Sequence, residues 1–141
     1  MVKPVMIEIL GAQSYEQDDD SIEFVTQGEM HIQGNVYRIT YLESEVTGMQ
    51  GCTTTLTVED DTRVSMERTG ALNSSLIFER GKKHLSLYQT EVEEFMIGVC
   101  TDTLDIQLNE SGGSVHITYS IEINNALASQ NQITITIKED L

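Results

Sequence analysis

Glu43 and Glu45 are the residues with the most chemistry in reach. They stand two positions apart at the end of a segment in which Tyr37, Ile39, Tyr41 and Glu43 fall at every second place. On a strand that spacing sets two carboxylates about 7 Å apart, a distance at which a pair can divide acid and base roles. The same parity turns Glu43 inward with the tyrosines. A lone ionised carboxylate among apolar groups is expensive, so it calls for a partner. Arg68 shares the parity of Val64 and Met66 and is therefore also read as inward. With 8 basic residues against 23 acidic ones, an inward cation stands out. An interior Glu43–Arg68 pair, bidentate in geometry, is the economical arrangement. The alternative places one or both at a rim, with the charged end in water.

The other reactive types do not assemble. Cys52 and Cys100 lie far apart in the chain, and His31, His84 and His116 stand alone, so no metal site or cofactor is expected. Asp18-Asp19-Asp20 and Glu59-Asp60-Asp61 lack the alternating ligands, central glycine and closing glutamate of a calcium loop and read as solvated turns. No nucleophile elbow, zinc-binding H-E-x-x-H, P-loop or dinucleotide fingerprint occurs. Catalysis by Glu43 or Glu45 is the weakest reading, and a non-enzymatic role is expected.

These residues have to be positioned by strands. Thr, Ile and Val are abundant, helix signals are nearly missing, and the one proline is Pro4. Ile22, Phe24, Thr26, Gly28, Met30 and Ile32 alternate along one face, and Gly34-Asn35 is a two-residue hairpin signal into Val36–Glu45. Thr54, Leu56 and Val58 pattern the next strand after the glycine-rich turn 47–51. Asp60-Asp61, Gly81-Lys82 and Ser111–Gly113 are read as turns. Parity switches between Phe95, Ile97, Val99, Thr101 and Leu104, Ile106, Leu108, which calls for a bulge near Asp102-Thr103. Val115 to Ile123 and Ile133 to Ile137 close the series. About ten strands joined by short turns predict an all-β single domain over 1–141, an up-and-down antiparallel barrel of 8–10 strands.

Composition bounds what such a barrel can do. The net charge of −15 disfavours contact with a phosphate backbone, so no nucleic acid partner is expected. No apolar run approaches the ~20 residues of a spanning helix, and Glu8 interrupts the start before a leader-type apolar stretch forms. The expectation is a cytoplasmic protein with no membrane partner. The face around Met96, Gly98 and Cys100 carries little charge in the sequence and is the expected place for self-association into a homo-oligomer.

Taken in order, Thr26-x-Gly28, Tyr37-x-Ile39-x-Tyr41-x-Glu43, Gly48, Thr54-x-Leu56, Arg68-x-Gly70, Phe78, Gly81 and Tyr88 resemble the YwiB-like family of small bacterial proteins. The likeness runs from about residue 5 to 138. It implies a calycin-type, lipocalin-like barrel in a bacterial, cytosolic setting, and it carries no catalytic residues across. Thr90-Glu91-Val92-Glu93 departs from the family's turn, where a glycine or proline would be expected.

An eight-stranded barrel is near the size at which the interior either fills with side chains or holds one small ligand. The functional expectation is a binding barrel for a small amphipathic molecule held by Tyr37, Tyr41, Glu43, Arg68 and Tyr88. A tyrosine offers a flat apolar face with a polar tip, and the overall charge favours a neutral or cationic ligand. The alternative is a packed barrel, empty of ligand, that acts as a protein-interaction or regulatory module.

Overall fold

A computed structural model describes all residues except 1, 15–18, 44–50, 71–72, 90–91, 93, 125 and 141; the side chains of 19, 20, 87–89 and 95 are also outside the description. Ten strands follow one another: β1 (Val2–Ser14), β2 (Asp19–Gln33), β3 (Val36–Leu42), β4 (Cys52–Glu59), β5 (Arg63–Gly70), β6 (Asn73–Glu79), β7 (Lys83–Gln89), β8 (Glu94–Asn109), β9 (Gly112–Ile123) and β10 (Ala126–Glu139). Each pairs antiparallel with its chain neighbours, and β1 pairs with β10 to close the barrel. The up-and-down order expected from consecutive hairpins is the one observed.

The turns account for the register. Gln33 faces Val36 across Gly34-Asn35, where Gly34 adopts φ 63°. Asp60 and Asp61 take φ 49° and 57°, left-handed conformations that aspartate tolerates better than most side chains. Thr101 and Thr103 bracket a register shift on β8, so the parity switch is absorbed by a bulge at Asp102. The predicted Ser111–Gly113 turn lies one residue earlier, at Glu110-Ser111. Gly112 and Gly113 already belong to β9, with φ of 121° and 139°.

Alternation places Val5, Ile7, Met30, Ile39, Leu56, Val64, Phe78, Val115, Ile117 and Ile135 in a fully buried central band. Burying each such side chain contributes roughly 1.5–3 kcal/mol. Gly28 sits in that wall because nothing larger fits. A Cβ there would run into the Thr40 carbonyl and come within 2.6 Å of Ile7 Cδ1. Gly28→Ala should therefore cost about 1–3 kcal/mol in a urea titration. Gly98→Ala meets only the flexible Cε of Lys83, at 2.7 Å, and should leave the midpoint nearly unmoved.

One seam is thin. Among the described residues, only Asn73↔Gln89 and Ser74↔Tyr88 pair between β6 and β7. Further along, side chains span it: Ser86 Oγ donates to the Ser75 carbonyl, and His84 Nε2 lies 3.1 Å from Glu79 Oε1. The odd-numbered strands end at one rim, here called upper. The turns 34–35, 60–62, 80–82 and 110–111 gather at the lower rim.

Candidate functional site

The upper half of the interior is polar. Cross-strand pairing sets Gly28, Tyr41, Thr54, Arg68, Ser74 and Tyr88 in one row over β2 to β7, and Glu43 follows Tyr41 at the end of β3. Inward parity thus brings three of the five expected residues together. Glu43 has a side chain 1% exposed and accepts a hydrogen bond from Thr54 Oγ1 at 2.6 Å. Arg68 Nε lies 3.5 Å from Glu43 Oε1.

The expected bidentate fork is not what forms. One nitrogen makes a charge contact longer than a good N–H···O bond, and Arg68 Nε has no hydrogen-bond partner although it is buried. Glu43 lies just past the end of β3, and the oxygen that Arg68 approaches already accepts from Thr54. Tyr37 lies toward the lower rim, opposite Ile32 and Val58, away from this cluster. Tyr88 stands on β7 opposite Ser74 and Phe95, with its side chain outside the described ones. Glu45 and Asp18 lie outside the described residues, so the Glu43–Glu45 spacing has no geometry here. Asp19 and Asp20 belong to β2 rather than to a turn.

Across the interior stands a second polar wall. Thr101, Tyr119, Asn131 and Gln13 pair in sequence over β8, β9, β10 and β1. Tyr119 packs edge-on against Phe78, with centroids 4.7 Å apart. Burial pushes the Tyr119 hydroxyl above the ordinary tyrosine range, and the positive charge of Arg68 opposes that shift. Burial, with the adjacent Glu43 charge adding to it, holds the Tyr41 proton far more tightly still. Both phenols remain hydrogen-bond donors at any physiological pH.

Three buried polar atoms lack hydrogen-bond partners among the described residues: Arg68 Nε, Ser74 Oγ and Thr101 Oγ1. Ser74 and Thr101 are 7% and 4% exposed. A buried unsatisfied polar group costs about 1–3 kcal/mol, so each of the three calls for an explanation. Meanwhile Phe24, Thr26, Tyr119, Ile121 and Ile123 point inward yet are only half-buried, and the Arg68 side chain keeps 17% exposure. Solvent reaches this half of the interior. Ser74, Tyr119 and Asn131 were not anticipated as site residues. Their signal was a polar residue at inward parity, visible for each once the strand face is assigned.

A cavity of about 730 Å³ lies along this second wall, and Gln13, Thr101, Tyr119 and Asn131 are among the residues that line it. Nine of its thirteen lining residues have outward parity, among them Ser14, Ser21, Cys100, Thr118, Ser120 and Gln130, so it is a groove on the outer wall. It does not include Arg68 or Glu43. Beside it, Cys100 Sγ donates to Glu122 Oε2 at 2.9 Å, and Glu122 Oε1 meets Lys83 Nζ at 3.4 Å. The face expected to carry little charge is thus crossed by an ion pair. That carboxylate raises the Cys100 thiol above its usual range. Cys100 should alkylate slowly with iodoacetamide at neutral pH, and Glu122→Ala should speed the reaction several-fold, read by mass.

The description of a domain of unknown function (DUF1934) matches residues 7–135 of this chain. No curated protein matches it. Among solved structures it is similar to the YwiB protein of Bacillus subtilis, at 20% identity and a TM-score of 0.88, over 99% of this chain and 94% of that one. At that identity the likeness speaks for the fold.

Proposed function

The chain belongs to the DUF1934 family, and from that premise we propose that it is a non-enzymatic binding barrel which holds one small amphipathic molecule in the upper half of its interior. The observation that carries the reading is the set of orphaned polar atoms on Arg68, Ser74 and Thr101, inside a region that solvent reaches. Ten strands make a wider barrel than the eight at which side chains alone fill the lumen. Below the polar layer the buried isoleucines, valines and Phe78 supply an apolar floor. A ligand with one polar and one greasy end satisfies both.

The charge of −15 argues against polyanions as partners, since its field repels them once they approach within a Debye length of about 8 Å at physiological salt. Tyrosine fluorescence tests the reading, because the chain has no tryptophan to mask it. Amphipathic probes should give saturable changes that Arg68→Ala weakens, while a DNA oligonucleotide gives none. Saturable binding of the oligonucleotide with no response to any amphipath would overturn it. The outer groove favours a second reading, a barrel whose outer wall serves as a protein-interaction or regulatory module. That reading expects no response to small probes.

A further inference from the structure

We propose that the interior site recognises a carboxylate, so that its ligand is a small organic acid of single negative charge with an apolar body. This rests on the interior-binding reading above and adds the chemistry of the head group. Glu43 is the ionic acceptor of the polar layer, and it is already engaged by the Thr54 hydroxyl, by Tyr41 and by the Arg68 charge. What remains unsatisfied is able to donate: Ser74 Oγ, Thr101 Oγ1 and Arg68 Nε. The outer guanidinium nitrogens of Arg68 make no hydrogen bond to a described residue.

A layer with spare donors and an occupied acceptor selects an acceptor-rich head. Ser74 stands directly beside Arg68 in the cross-strand row, and Thr101 stands beside Tyr119 on the facing wall, where the Arg68 charge is felt. A head placed at Arg68 meets its guanidinium and, on the neighbouring strand, the Ser74 hydroxyl. The planar guanidinium fork matches a carboxylate in two parallel bonds. Glu43 sets the limit on charge: with its carboxylate beside Arg68, a dianion such as a phosphate monoester meets repulsion that a monoanion offsets with one new pair. Half-buried Phe24, Ile121 and Ile123 line the path of the apolar body. The net charge of the chain had favoured a neutral or cationic ligand, but that field acts at range. At contact the guanidinium and the hydroxyls decide.

The test compares 4-phenylbutyrate, 4-phenylbutan-1-ol and inorganic phosphate by calorimetric titration of the full chain. The acid should bind about tenfold or more tighter than the alcohol, the difference expected from charge-assisted hydrogen bonds. Thr101→Val, which keeps the shape, and Arg68→Lys, which keeps the charge but not the fork, should each reduce acid affinity roughly tenfold. Both should weaken the alcohol less than the acid, and near-ultraviolet circular dichroism confirms that the variants are folded. Equal or tighter binding of the alcohol would overturn the carboxylate assignment while leaving interior binding intact. Phosphate binding as tightly as the acid would overturn it too, since the site would then read a bare anion. Binding of none of the three would overturn both the assignment and the reading beneath it.

Discussion

Arg68→Ala should destabilise the protein by about 3 kcal/mol, lowering the melting temperature by roughly 10 °C. The cause is the carboxylate it leaves behind. Glu43 is almost wholly buried, and Arg68 is the cation beside it. Removing one member of a buried pair typically costs about 3–5 kcal/mol, because the remaining charge is uncompensated. The lower end applies here, since Thr54 and Tyr41 still hold the carboxylate. Glu43→Gln in the Arg68→Ala background should restore much of the loss, by removing the charge that lacks a partner. Arg63→Ala, on the exposed face of the same strand, should barely register. Equal small shifts for Arg68→Ala and Arg63→Ala in thermal melts would mean that the pair contributes nothing to the fold.

Alkaline pH should erode stability through two buried tyrosines. The Tyr41 and Tyr119 phenols both hold their protons more tightly in the folded chain than an ordinary tyrosine does, because burial disfavours the phenolate. Above the ordinary value of about 10, an unfolded chain has lost those protons and the folded chain has not. The folded state then binds more protons, so stability falls as pH rises, and it is fully present below that value. Each tyrosine can contribute a slope of up to about 1.4 kcal/mol per pH unit. Urea titrations between pH 9 and 12 should show the decline, and Tyr119→Phe should flatten it. A profile identical for Tyr119→Phe and the parent would remove Tyr119 from the account.

Much of the fold was legible because a two-residue period leaves few choices. Tyr37, Ile39, Tyr41 and Glu43 could share a face only on a strand. The parity break after Thr101 could be absorbed only by an irregularity, and it falls at Asp102. The site was legible in part. Glu43, Tyr41 and Arg68 converge because parity and neighbouring register suffice to place them. The facing wall was not foreseen. Tyr119 and Asn131 lie far from Arg68 in the chain, and only closure of the barrel brings them to it. The form of the ion pair was also out of reach, because parity says that two side chains point inward but not how their polar atoms meet. The charged state of the Cys100 face was hidden for a similar reason: Glu122 belongs to the neighbouring strand β9 and Lys83 to β7.

Native mass spectrometry of the gently purified protein tests interior binding most directly. The account predicts a population heavier than the 15.8 kDa chain by one small molecule. The added mass should be released on acid denaturation and recovered as an amphipathic compound, and it should be missing from Arg68→Ala. A chain that carries only its own mass, in the parent and the variant alike, together with silent tyrosine fluorescence across amphipathic probes, would contradict the account.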